Sequence, residues 1–168
     1  MAKKSAQDPL SVETVRELIG RASAMLAFSY IPYSVFAVGA ALLCDDGTIV
    51  TGCNVENAAY GPSICAERTA FVKAVSEGKS SFRAIAIVGG KDRVITDYCP
   101  PCGVCRQVME EFCDTDTFFV ITAKSQEDFR VRTLGEYLPE SFGGSHLRDR
   151  LRSAGEKIGR RLRTESRK

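Results

Sequence analysis

Two short segments hold the side chains best suited to chemistry: Cys65-Ala66-Glu67-Arg68 and Pro101-Cys102-Gly103-Val104-Cys105. The surrounding pattern puts each at the start of a helix. A helix N-terminus presents unpaired N–H groups and a partial positive charge, which favour thiolates and help to hold an anion. Cys102 and Cys105 lie three residues apart, so in a first helical turn their sulfurs project to the same side. If the two helices lie side by side, Cys65 supplies a third sulfur. Three thiolates leave one tetrahedral position free, the mark of a catalytic rather than a structural zinc. The pattern therefore predicts one Zn2+ per chain, held by Cys65, Cys102 and Cys105.

Glu67 stands two residues beyond Cys65, within reach of the open position without being a ligand. Zinc lowers the pKa of its bound water to about 7 in favourable sites. Glu67 would take the proton from that water, leaving hydroxide to attack an electrophilic carbon, and would pass protons on to a ring nitrogen and a departing amine. Three thiolates overcompensate the charge of the metal and weaken it as a Lewis acid. Arg68, three residues from Cys65, is placed to donate to the sulfurs and restore part of that acidity.

The residues leave other readings open at this point. A C-x-x-C that follows a strand and opens a helix is also the redox pattern of thioredoxin-like proteins. A closed, four-cysteine structural zinc would take Cys99, Cys53 or Cys113 as its fourth ligand. Cys44, Cys53 and Cys113 read more simply as small buried hydrophobes.

The elements that must position these residues follow from periodicity. At 168 residues and 18.3 kDa, with 44% hydrophobic and 26% charged residues, the chain fits one globular domain, assigned here to residues 1–146. Val12, Val15, Leu18, Ile19, Ala22, Met25 and Leu26 recur at helical spacing, predicting a helix from Ser11 to Phe28 with Ser11 as N-cap. Val35 to Cys44 is small and apolar throughout, as in a strand buried on both faces. Asp45-Asp46-Gly47 turns the chain into a second strand, Ile49 to Val55. A helix over Ser63 to Ser76, a strand over Arg83 to Val88 and a helix over Cys102 to Phe112 come next. Strands over Thr117 to Thr122 and Phe129 to Thr133 follow, and a capping box at Thr133 and Glu136 opens a last short helix. The order predicts an α/β fold: a three-layer α/β/α sandwich around a mixed sheet of about five strands.

Charge and hydropathy narrow the function. From Leu147 onward stand nine basic and three acidic residues, which leaves 14 basic and 18 acidic before them. The basic excess belongs to the tail 147–168, read as helical or disordered, while the body is mildly acidic. An acidic body without tryptophan is a poor platform for a nucleic-acid strand. No apolar run approaches the roughly 20 residues needed to cross a bilayer, and Met1 to Pro9 carries no secretory pattern. A soluble cytoplasmic protein with neither a nucleic-acid nor a membrane partner is the expectation. Seven cysteines in such a chain favour metal or catalysis over disulfides.

These motifs resemble the cytidine deaminase family, and among its members the small homotetrameric nucleoside deaminases. The zinc-deaminase signature H-x-E…P-C-x-x-C has a three-cysteine variant, which stands here as Cys65-Ala66-Glu67 and Pro101-Cys102-Gly103-Val104-Cys105. The only histidine, His146, lies beyond both motifs, so a histidine ligand is excluded. The resemblance runs from about Tyr30 to Phe142. It includes Pro32-Tyr33-Ser34-Val35-Phe36 with Val38-Gly39-Ala40-Ala41-Leu42, the substrate segment Gly52-Cys53-Asn54-Val55-Glu56-Asn57-Ala58-Ala59-Tyr60, and the end Leu138-Pro139 through Phe142.

The resemblance implies hydrolytic deamination of cytidine and deoxycytidine in pyrimidine salvage, by zinc-bound hydroxide attacking C4 with Glu67 as proton shuttle. It further implies that Asn54 and Glu56 bond the ribose 3′-hydroxyl, that Phe36 packs against the pyrimidine, and that the backbone of Ala66 reads the base carbonyl. Ala58, Tyr60 and Phe142 would reach the substrate of a neighbouring subunit in a homotetramer. Pro100 stands where relatives commonly carry Ser or Thr. Its implied task, accepting from the 4-amino group, uses a backbone carbonyl that proline retains. A polynucleotide editor and a deaminase of nucleoside-like antibiotics are the enzymatic rivals, and Asn54-Val55-Glu56-Asn57 suits a plain ribose better than the latter. A non-catalytic zinc or redox module is the rival of another class.

Overall fold

Val15, Leu18, Ile19 and Ala22 form the buried stripe of helix α1, which spans Val12–Ala24 and is capped by the Ser11 hydroxyl accepting from the Thr14 N–H at 3.1 Å. The computed structural model describes residues 10–144, so His146 and the basic tail lie outside the described residues. The predicted helix is shorter than expected: a 3₁₀ turn over Met25–Phe28 replaces its last turn before the chain extends at Ser29.

The strands are β1 (Phe36–Cys44), β2 (Ile49–Cys53), β3 (Phe82–Lys91), β4 (Phe119–Ala123) and β5 (Phe129–Thr133). They form one sheet in the order β2-β1-β3-β4-β5. Only β3 and β4 run parallel; β1 is antiparallel to both neighbours, as β5 is to β4. Alternation along the strands divides the core. Ala37, Ala41, Leu43, Ala84, Ala86, Val88 and Ile121 face α1. Ala40, Leu42, Ile85, Ile87 and Val120 face the helices α2 (Ala66–Ser76) and α3 (Gly103–Phe112). This is the expected three-layer α/β sandwich with a mixed five-stranded sheet. A short α4 (Leu134–Tyr137) opens with the expected capping box at Thr133 and Glu136.

Among the boundaries that differ from the sequence expectation, three bear on the site. Helix α2 begins at Ala66 and not at Ser63, because Ile64 bridges antiparallel to Val55 and so holds the chain extended up to Cys65. Strand β2 stops at Cys53: the Asn54 N–H still donates to the Val38 carbonyl, but its own carbonyl accepts from the Tyr30 N–H, and the Val38 N–H donates to the Asn54 side chain instead. Strand β3 runs on to Lys91, paired along its length with β1.

One glycine decides how closely α2 approaches the sheet. A methyl on Gly52 of β2 would stand 2.5 Å from the Ala66 carbonyl oxygen and 2.6 Å from the Ala70 nitrogen, both main-chain atoms that cannot turn aside. Gly52 therefore seats the first turn of α2, with Cys65 and Glu67 on it, directly on β2. Replacing Gly52 by Ala is expected to cost about 1–3 kcal/mol by overpacking and to lower zinc content per chain. Thermal unfolding beside metal analysis checks this, and an unchanged Tm would show that the first turn has room to spare.

Candidate active site

Cys65 and Cys102 occupy the N-cap positions of α2 and α3, and neither side chain makes a capping hydrogen bond. Their sulfurs are left to face each other at 3.9 Å, while Cys105, one turn into α3, lies 3.5 Å from Cys102. All three sulfurs fall within 4.8 Å of one another, and no other His, Cys, Asp or Glu among the described residues joins them. A tetrahedral zinc with Zn–S of about 2.3 Å spaces its sulfurs by ~3.8 Å. The three thiols therefore fit such an ion without rearrangement of the helices.

Arg68 serves the cluster from the same turn: one Nη donates to Cys65 Sγ at 3.6 Å and to the Ser63 carbonyl at 2.9 Å. Its buried Nε has no partner among the described residues. Hydrogen bonds from Cys105, then Arg68 and Cys102, pull the Cys65 thiol down to about 5 against its burial. The bond to Cys65 and burial push the Cys105 thiol up. The pair thus favours the thiolate at Cys65 and the protonated thiol at Cys105, and a dication among the sulfurs would favour all of them as thiolates.

Glu67 is only 4% exposed, yet it lines the cavity that opens beside the sulfurs. Burial pushes its carboxyl up, its own helix N–H lowers it, and the charge of Cys65 raises it again. A carboxyl in that position is suited to carrying a proton.

The cavity has a volume of about 770 Å³. Cys65, Glu67, Arg68, Cys102, Asn54, Glu56 and Pro100 all line it, and so does Tyr60, which the sequence reading assigns to the site of a neighbouring subunit. Cys105 is buried behind them, and Phe36, Ala58, Ala66 and Phe142 are not among its lining residues. The Phe36 ring and Cys99 Sγ crowd the same spot on β3, within 3.1 Å and 2.9 Å of where a methyl on Gly89 would stand. Phe36 therefore stands beside Cys99, which does line the cavity. Cys99 lies outside the three-sulfur cluster, and burial pushes its thiol up to about 12, which suits an apolar wall better than a ligand. Cys53 donates to the Phe28 carbonyl and Cys113 packs against the core, so neither serves as a fourth ligand.

Asn54 and Glu56 are already oriented. The Asn54 amide accepts from the Val38 N–H at 2.8 Å and donates to the Phe36 carbonyl at 2.9 Å. One hydrogen and one lone pair remain to it. Glu56 Oε2 accepts from the Tyr33 and Ser34 N–H groups at 2.9 and 3.2 Å, and bonds from this segment hold its carboxyl below the usual range.

A three-thiol metal site with a buried carboxylate beside it, opening on a cavity above helix N-termini, defines a metal-dependent hydrolytic enzyme. Comparison with known proteins gives the family. Residues 12–121 match the family described as the cytidine and deoxycytidylate deaminase zinc-binding region. A cytidine deaminase of Sporosarcina psychrophila is 44% identical over 133 residues, 79% of this chain and 94% of the relative. One of Halalkalibacterium halodurans is 48% identical over 121 residues, 72% of this chain and 88% of its own. The crystal structure of a Burkholderia pseudomallei cytidine deaminase superposes with a TM-score of 0.68 at 45% identity, covering 75% of this chain and 97% of the other. This chain belongs to the zinc-dependent cytidine deaminase family.

Sequence reasoning missed how Glu56 is held. Tyr33 and Ser34 point their N–H groups at it because Val35 turns the chain with φ +59°, closing a loop in which the Val35 N–H reaches the Ile31 carbonyl at 3.3 Å. No sequence signal marks this, since a β-branched residue is the last expected in the left-handed region. The strain is of the order of 1–2 kcal/mol. Because the Val35 side chain is 41% exposed, little packing opposes a substitution. Val35→Asn is expected to raise stability by about 1 kcal/mol, a few degrees in Tm, with KM for substrate unchanged. A fall in Tm would show that the Val35 side chain packs to more effect than its backbone strains.

Proposed function

We propose that this chain deaminates free cytidine and deoxycytidine to uridine and deoxyuridine, using zinc held by Cys65, Cys102 and Cys105. The observation that carries the reading is Glu67: a buried carboxyl with a raised pKa, two residues past Cys65, facing the cavity. Bound zinc supplies a Lewis acid that makes water acidic enough to lose a proton near neutral pH. Glu67 accepts that proton at a carboxylate oxygen, delivers it to N3 of the ring, and moves a further proton to the leaving amine, so that nucleoside and water become uridine and ammonia. Arg68 draws charge from Cys65 through the bond it makes at 3.6 Å.

The remaining residues hold the nucleoside. The Ala66 N–H, one of the unpaired donors of the first turn of α2, meets the base carbonyl. The Pro100 carbonyl accepts from the 4-amino group, and Phe36 packs against the pyrimidine beside Cys99. The free hydrogen of Asn54 and the second oxygen of Glu56 bond the 3′-hydroxyl. Their prior anchoring to β1 and to the Tyr33–Ser34 turn means little order is lost when the sugar binds.

The chain acts as a homotetramer in this reading, with Ala58, Tyr60 and Phe142 completing a neighbour's site. Support comes from aromatic side chains left open: Tyr60 is 74% exposed, Phe28 70%, Phe142 61% and Tyr30 57%. Reactive thiols kept reduced belong to the cytoplasm, where a salvage enzyme meets its nucleosides. No helix among the described residues is long and apolar enough to cross a membrane.

Ultraviolet absorbance with cytidine, deoxycytidine, cytosine and a short cytosine-containing single strand tests the activity. Turnover of the two nucleosides alone is expected. Glu67→Gln should lower kcat by at least about 10²–10⁴-fold while zinc stays at one per chain. Zinc at one per chain with no turnover of any of them would overturn the reading in favour of a structural metal. Light scattering tests the assembly: a mass near four times the 18.3 kDa chain is expected, and a monomer that turns over cytidine would refute the shared site.

A further inference from the structure

The loop 95–101 between β3 and α3 brings Cys99 and Pro100 to the cavity wall. Among the described residues no main-chain to main-chain hydrogen bond begins or ends in this loop. Pro100 and Pro101 have no N–H to give. The loop is held by side chains: Ile95 and Cys99 pack against the core, and polar contacts fix it at two points. At its C-terminal end Arg106 Nε donates to the Pro101 carbonyl at 2.8 Å, while Arg106 Nη1 donates to the Tyr137 carbonyl at 2.9 Å. Before Cys99, Tyr98 lies against the β4–β5 hairpin. Its hydroxyl donates to the Asp128 carboxylate. The Arg130 guanidinium stands 3.8 Å from the ring centroid and Lys124 Nζ 4.7 Å from it. Lys124 also pairs with Asp97 at 3.4 Å, so the two residues just before Cys99 are tied to the hairpin.

We propose that Tyr98 is a positioning residue for the reaction: clamped by Asp128 and Arg130, it fixes where the Pro100 carbonyl stands over the reacting amino group. The inference rests on the deaminase reading given above and on the task assigned to Pro100. Between the two polar anchors lie only Cys99, packed against β3 at Gly89, and Pro100, whose ring locks its own φ. Movement of the Tyr98 end is therefore passed to the Pro100 carbonyl with little slack. A misplacement of about 1 Å near a reacting group can cost up to about 10²-fold in rate. Charged contacts on an aromatic face suit this duty, because they orient the ring as well as attract it.

Uridine supplies the control, since it carries oxygen at C4 and has no amino group for Pro100 to accept from. The experiment measures cytidine kinetics and uridine inhibition for the wild type, Tyr98→Ala and Tyr98→Phe, with zinc content alongside. Tyr98→Ala is expected to lower kcat/KM for cytidine roughly tenfold, mostly in kcat, while the uridine inhibition constant moves by less than about twofold. Zinc should stay at one per chain. Tyr98→Phe keeps the ring on Arg130 and loses only the bond to Asp128, so it should fall between wild type and Tyr98→Ala. If Tyr98→Ala does not fold, Tyr98→Phe and Arg130→Gln make the same comparison. Equal losses in cytidine turnover and uridine binding would overturn the proposal and make Tyr98 a support for the whole pocket. No change in either would overturn it too. A wild-type protein inactive on cytidine would instead sink the deaminase reading itself, which keeps the two failures apart.

Discussion

Two helix N-termini meeting at one point is the constraint on which the rest of this molecule depends. Each carries roughly half a positive charge and several unpaired N–H groups, and Arg68 adds a full charge on the same side. Such an arrangement repels itself unless anions are set into it. Cys65, Cys102 and Cys105 are those anions, and their own repulsion is in turn relieved by a dication. Helix packing, thiolate chemistry and metal binding are therefore one electrostatic problem with one solution. The solution has a local cost. At both N-caps a serine or aspartate would cap the helix and add about 1 kcal/mol, whereas Cys65 and Cys102 cap nothing.

Positioning of that point falls to parts of the chain with no chemistry of their own. Gly52 admits the first turn of α2 to the sheet. The bridge between Val55 and Ile64 keeps the chain extended up to Cys65, so that the cysteine enters the helix as its cap and not two residues into its first turn. Had α2 begun at Ser63, Cys65 would point along a different direction and Glu67 would lie a turn deeper. The site is thus built by where the helix starts, and one or two residues of register decide it.

This register is also where the sequence was least legible. The stripe of α1, the apolar run of β1, the Gly47 turn and the Thr133–Glu136 capping box could all be read directly, because each is a local pattern with a local cause. The clustering of the three cysteines and the place of Glu67 beside them could be read too, since spacing sets them. Boundaries failed where a distant partner sets them: β2 ends where the Asn54 carbonyl turns to Tyr30 and the Asn54 side chain takes the Val38 N–H, sixteen residues earlier. The Tyr98 clamp was invisible for the same reason, its partners lying at 124, 128 and 130. The left-handed Val35 was hidden more deeply, because its residue type argues against the conformation it adopts.

The charge of the cavity separates two substrates that the family description leaves side by side, a nucleoside and its 5′-phosphate. Among the described residues that line it, Arg68 is the single cation, and its guanidinium is engaged with Cys65 and Ser63. Glu56 and Glu67 contribute carboxylates to the same wall. Glu56 is held in its ionised form by the bonds from Tyr33 and Ser34. A phosphate entering this space would lose hydration, meet negative charge and find no free donor of positive charge among these residues. Burying an anion without a partner is costly, whereas an uncharged ribose hydroxyl matches the acceptor and donor that Glu56 and Asn54 have left. In the reading in which Asn54 and Glu56 hold the sugar, the same fixed dipoles that would orient it disfavour its phosphorylated form, by the anchoring of Glu56 as much as by its charge.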